Sequence, residues 1–168
     1  MSILKPIRTG CRAGILALSL VLPPFATGQQ TCNPAVSSST PDSDFTVNND
    51  GTVTHHKTGL MWLRDPLNGT YSWEQALMEA EGASFVGYTD WRLPNAKELA
   101  SIVETRCYAP SINLAVFPST PSMEFWTSTP FVASQLSPSA WVVWFRYGSV
   151  ASVERNYSGY VRLVRGGQ

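Results

Sequence analysis

His55 and His56 are the two histidines of the 168-residue chain, and they stand side by side. Neighbouring residues of an extended strand point to opposite faces, so this pair cannot grip one metal ion together. No third histidine exists to complete a zinc site or a nucleophile–base–acid triad. The chain has neither a Gly-x-Ser-x-Gly elbow nor a phosphate-cradling glycine loop. Asp50-Gly51 only faintly resembles a calcium loop: Thr46 stands four positions earlier, and no glutamate follows at the required spacing. Glu79 and Glu81 fall on a solvated helix face. These residue types point away from catalysis, and they imply no resident metal and no cofactor.

Residues suited to recognition are denser. Trp144, Arg146, Tyr147, Arg155, Asn156 and Tyr157 crowd one short stretch near the C-terminus. Aromatic rings stack on the apolar face of a sugar, while guanidinium and amide groups bond its hydroxyls. On a strand, Trp141, Val143 and Phe145 share one face, and Val142, Trp144 and Arg146 share the other. If one face fills the core, the other becomes an aromatic, cationic surface. If both faces are covered, the same residues are the middle of a two-sided sheet. Both readings stand at this point. Asp90-Trp91-Arg92 is the second cluster. Arg92 could clamp an anion beside an aromatic, but a large ring at a helix start usually packs inward. The expected role is structural, with Trp91 in the core and the charged pair fixing a turn. Trp62, Trp73 and Trp126 are expected in the core as well.

The elements that must position these residues follow from turn and cap chemistry. Phe45-Thr46-Val47 and Thr52-Val53-Thr54 flank an Asp-Gly turn, a hairpin signal. A second turn at Lys57-Thr58-Gly59 introduces a buried strand at Leu60-Met61-Trp62-Leu63. Ser72 with Gln75 forms a capping box, and Ala76, Leu77 and Ala80 share a face before Gly82 stops that helix. Asn95 with Glu98 caps a second helix, whose spacing of Leu99, Ile102, Val103 and Arg106 carries it to near Cys107. A long irregular stretch with Pro110, Pro118, Pro121, Pro130 and Pro138 follows, strand-like at Phe125-Trp126-Thr127. Strands at 140–145, 150–153 and 160–164 close the chain. Without βαβ alternation the fold class is α+β: two helices packed on small antiparallel sheets, with a long irregular loop region.

Lys5, Arg8 and Arg12 precede an apolar run over 13–22, then Pro23-Pro24 and the small residues Ala26-Thr27-Gly28. That is the layout of a signal peptide over 1–28, and the run is too short to span a bilayer. The expected organisation is therefore signal peptide 1–28, polar leader 29–44 and one domain 45–168. Residues 29–168 carry nine basic and twelve acidic side chains, a net charge of about −3. Such a balance excludes the dense basic footprint of a nucleic-acid binder. The late arginines Arg146, Arg155, Arg162 and Arg165 are expected to be solvated or ion-paired. Cleavage removes Cys11 and leaves Cys32 and Cys107, which an oxidising compartment would join in a disulfide rather than leave as free thiols.

Several of these stretches resemble one known family. Phe45–Thr54 and Thr58-Gly59-Leu60-Met61-Trp62 resemble its opening, and Asp90-Trp91-Arg92-Leu93-Pro94-Asn95 with Lys97-Glu98-Leu99 its central signature. Phe125-Trp126-Thr127-Ser128-Thr129 and the closing Tyr160–Gln168 complete the match. This is the Lcl C-terminal domain family, named for the end domain of a collagen-like bacterial adhesin and formerly a domain of unknown function. The resemblance implies a C-type-lectin-like fold related to formylglycine-generating enzymes, in secreted or surface bacterial proteins. The adhesin is associated with sulfated glycosaminoglycans. Many members carry cysteines where this chain has Ala80 and Leu163, and this chain lacks a Gly-X-Y segment.

The expectation is a non-enzymatic, exported domain, periplasmic or extracellular, with no membrane span once the signal is gone. It would bind polysaccharide or another cell-surface ligand through the C-terminal aromatics and arginines. The alternative is a structural or assembly module of the bacterial envelope without a small-molecule ligand.

Overall fold

The computed structural model describes residues 29–132 and 138–166; the expected signal peptide lies outside the described residues. The leader enters as β1 (Thr31–Cys32) and reaches a 3-10 turn at Asp42–Asp44. Then β2 (Phe45–Val47) and β3 (Thr52–His55) form the anticipated hairpin. Gly51 supplies the positive φ of 85°, and Asp50 Oδ1 accepts from the Thr52 amide at 3.0 Å. β4 (Leu60–Leu63) pairs with β3 and, at its other edge, with the terminal β9 (Val164–Arg165).

Both capping boxes form as the sequence implies. α1 (Trp73–Glu81) has reciprocal Ser72–Gln75 bonds and buries Trp73, Ala76 and Ala80. α2 has the reciprocal Asn95–Glu98 bonds, but it spans only Ala96–Ala100 instead of running on to Arg106. Ile102 and Val103 continue with i→i−3 bonds, and the Glu104 amide then leaves the helix for the Ser111 carbonyl at 3.1 Å. Apolar spacing was right about which residues are buried and wrong about the backbone that carries them.

β5 (Cys107–Tyr108) pairs with β1, and Cys32 and Cys107 face each other and form the disulfide. A second antiparallel sheet follows: β6 (Glu124–Phe131), β7 (Ser139–Trp144) and β8 (Ser149–Glu154). β6 is much longer than its three-residue sequence signal. It accommodates Pro130 at a register irregularity after Trp126, where the missing amide proton is tolerated. The expected strand at 160–164 is reduced to a bridge between Tyr160 and Phe125, then β9. The architecture is α+β with small antiparallel sheets. Among the described residues no helix is long and apolar enough to cross a membrane.

Two apolar clusters flank the second sheet. Phe125, Val143 and Phe145 join Phe45, Trp62, Leu99, Ile102 and Phe117 on one side. Trp126, Ala140 and Val142 join Trp73, Ala76, Ala80, Trp91 and Leu93 on the other. Adjacent residues enter opposite cores, as the two-residue period of a strand requires. The middle of β7 is thus two-sided and buried, and no whole face of it is open.

Candidate functional site

What escapes the double core is the end of the β7–β8 hairpin. Trp144 is half-buried, Arg146 is exposed and Tyr147 is 57% exposed. The Tyr147 and Gly148 amides return to the Trp144 carbonyl, at 3.2 and 2.9 Å, closing the tip. Gly148 has a φ of 69°, and a Cβ there would come within 2.7 Å of Val103 Cγ1. Only glycine lets the tip lie this close to the body of the domain. The Ala109 amide donates to the Arg146 carbonyl at 2.9 Å and anchors the other flank. The tip is therefore a braced structure.

Its side chains form one platform. The Trp144 and Tyr147 rings meet edge to face, 5.0 Å between centroids, and the Arg146 guanidinium lies 5.4 Å from the Tyr147 ring. Across the ladder from Trp144 stands Glu124 on the same face, and the Tyr157 hydroxyl donates to its carboxylate at 3.0 Å. Burial and the Glu124 contact together raise the Tyr157 pKa. Glu124 was not anticipated from sequence, because only strand pairing brings position 124 beside 144 and 157. The Trp144 indole N–H is shielded from solvent and has no partner among the described residues.

The other expected site residues divide. Tyr157 joins the platform; Asn156 is exposed beside it in sequence. Arg155 does not join, because it sits at the far end of β8, where its guanidinium lies over Trp73 at 4.2 Å and its Nε donates to the Ser139 carbonyl at 3.3 Å. The remaining late arginines are also engaged. Arg165 makes a forked pair with Asp90, at 2.8 and 3.1 Å, and covers the Tyr88 ring at 3.7 Å. Arg162 is wholly buried, neither solvated nor ion-paired as expected. It donates to the Leu63 carbonyl at 2.7 Å, to the Arg64 carbonyl and to Thr120 Oγ1 at 2.8 Å, above the Phe117 ring. Burial lowers its pKa to about 9, partly opposed by Asp65, so it stays charged at neutral pH. No periodicity marks Arg162 as an inward residue; its two apolar neighbours, Val161 and Leu163, are buried as well.

In Asp90-Trp91-Arg92 the two charged residues pair with Arg165 and Glu98 and not, as expected, with each other. Trp91 is buried, with Nε1 donating to the Phe85 carbonyl at 3.1 Å. Arg92 forks onto Glu98 with two 2.8 Å bonds, and its backbone exchanges two bonds with Val164. Burial pushes the Glu98 carboxyl upward, but hydrogen bonds from Arg92 and Asn95 outweigh it and leave its pKa lowered. A groove of about 820 Å³ runs past this cluster between α1 and α2. Its ionic groups are largely paired with one another, although the buried Arg92 Nε has no partner among the described residues.

A comparison with protein families matches residues 51–165 to the Lcl C-terminal domain. The chain belongs to that family. A search among curated proteins finds no match. In this Lcl C-terminal domain the matched span opens at the turn glycine of the first hairpin and closes at Arg165, the partner of Asp90. The leader lies outside the match, yet it is fastened to it at several points, of which two stand out. One fastening is Cys32–Cys107. The other is Glu104, 2% exposed, whose carboxylate accepts from the Ser38 hydroxyl, the amides of Ser39 and Thr40 at 3.1 and 3.2 Å, and the Arg106 amide at 3.1 Å. Burial raises the Glu104 pKa, but these donors prevail and hold it at about 2. Sequence shows only a polar leader at 33–43 because its partners, Glu104 foremost, lie sixty or more positions away.

Both histidines are committed to local contacts. His55 is buried, stacked on Phe45 at 4.6 Å, with Nδ1 at 3.0 Å from Thr58 Oγ1. Burial lowers its pKa, opposed by Asp44. His56 faces the other way, toward Thr46 and the Ser43 carbonyl.

Proposed function

We propose that this chain is an exported, non-enzymatic binding domain that takes carbohydrate on the hairpin platform of Trp144, Arg146 and Tyr147. The observation that carries the reading is the braced, partly exposed pair of rings at the tip, edged by a guanidinium on one side and a carboxylate on the other. Rings of this kind meet the apolar face of a pyranose, and the charged groups meet its hydroxyls. Committed histidines, one buried and one held by Thr46, favour binding over acid–base chemistry. A disulfide at the leader suits an oxidising compartment outside the cytosol, either periplasmic or extracellular. We further infer a C-type-lectin-like arrangement. Its support is the family membership together with a ligand platform on the late strands, next to the irregular stretch before β6.

The second reading is a structural module of the envelope with no small ligand. The Arg92–Glu98 and Asp90–Arg165 forks favour it, since they show the most distinctive residues spent on internal order. A glycan array separates the two. On the binding reading, wild type labels a defined set of glycans, and Tyr147→Ala, at a 57% exposed ring, loses the signal while the melting temperature stays close to that of wild type. Arrays that stay dark for wild type would leave the envelope module standing.

A further inference from the structure

The four late arginines give the sequence a cationic end, and the fold dismantles it. Arg162 is sealed in the interior among carbonyls, Arg165 is forked onto Asp90, and Arg155 lies over Trp73. Of the four, Arg146 alone is exposed, and the platform it borders also contains the carboxylate of Glu124. One guanidinium beside one carboxylate leaves the platform formally neutral. Residues 29–168 around it carry nine basic and twelve acidic side chains, about −3. A polyanion gains affinity from releasing counterions at several cations together, and a net-negative surface repels it.

We propose that the platform selects uncharged pyranose chains over sulfated ones, with Glu124 as the acceptor for sugar hydroxyls and Tyr157 as the residue that positions Glu124. This rests on the carbohydrate reading above and adds the class of sugar and a residue to it. A carboxylate accepts hydroxyl protons in short, charge-assisted bonds, stronger than those of a neutral acceptor. The Tyr157 hydroxyl occupies one oxygen of Glu124 at 3.0 Å and fixes its rotamer. The second oxygen accepts from no donor among the described residues, and Glu124 stands opposite Trp144 across the ladder. Stacking on Trp144 and Tyr147 would bring ring hydroxyls to that oxygen. A sulfate at the same place would meet the carboxylate head on.

The test uses the purified protein against neutral polysaccharides, each beside its own sulfated derivative, such as dextran with dextran sulfate and xylan with sulfated xylan. The expected result is binding of at least one neutral chain, at least tenfold tighter than its sulfated partner and nearly constant between 50 and 500 mM NaCl. Glu124→Gln should weaken the neutral chain about tenfold and narrow the gap to the sulfated one. Tyr157→Phe should weaken it less, with both variants melting near wild type. Tighter, steeply salt-dependent binding of the sulfated chains would overturn the selection and Glu124's role but keep the carbohydrate reading. Binding of neither class would overturn both.

Discussion

Glu104→Gln should loosen the leader and remove about 3 kcal/mol of stability at neutral pH. The buried carboxylate titrates near 2 rather than its ordinary 4.5, and each pH unit corresponds to about 1.4 kcal/mol. Because the folded-state pKa is depressed, this stability is complete above about pH 4.5 and is lost as the pH falls through 2. Glutamine keeps the shape but turns amide protons toward the donors of Ser38, Ser39, Thr40 and Arg106, which already crowd the site. The measurement is urea unfolding of wild type and variant at several pH values, read as the difference so that other carboxylates cancel. At pH 7 the gap should be about 3 kcal/mol, equivalent to a melting point about 10 °C lower. It should shrink steadily below pH 4.5 and almost close near pH 2. A gap under 1 kcal/mol at pH 7, or one that stays constant down to pH 3, would refute the clamp.

Replacing both Cys32 and Cys107 by serine should cost about 4 kcal/mol, the chain-entropy value for a loop closed over 75 positions. Combined with Glu104→Gln, the loss should be smaller than the sum of the two, since both fasten one segment; strict additivity in unfolding free energy would contradict this. Val86→Asn should raise the melting point by several degrees: Val86 and Gly87 form a turn with φ of 55° and 76°, and a β-branched residue is strained there. A lower melting point would show that the Val86 side chain matters more than its backbone. Gly159→Ala should destabilise by about 2–3 kcal/mol, because a Cβ there would lie 2.8 Å from the Trp126 indole nitrogen. An unfolding curve that overlays wild type would place Gly159 further from that ring.

Local rules carried the sequence a long way. The Asp-Gly hairpin, both capping boxes and the cysteine pair depend on residues a few positions apart, or on the cysteine count alone, and all of them form. The reading failed where long-range partners decide the backbone. α2 stops early because the Glu104 amide is drawn to Ser111, and β6 runs long because β7 supplies its ladder. The candidate site shows the same division. Trp144, Arg146 and Tyr147 are neighbours in sequence and stay together, whereas Arg155 is carried a strand's length away. Glu124 enters only through pairing, and the buried fate of Arg162 depends on carbonyls nearly a hundred positions distant.

The indole N–H resonance of Trp144 tests the platform most directly, because it reports on the ring proposed to stack on the sugar and has no hydrogen-bond partner among the described residues. Titration of a glycan selected on the array, followed by nitrogen–proton correlation spectra, should move the Trp144 signal, identified by its loss in Trp144→Phe. The signal of buried Trp62 should stay fixed. A shift centred on Trp91, beside the groove between the helices, or no shift at Trp144 under saturating ligand, would contradict a binding platform at the hairpin tip.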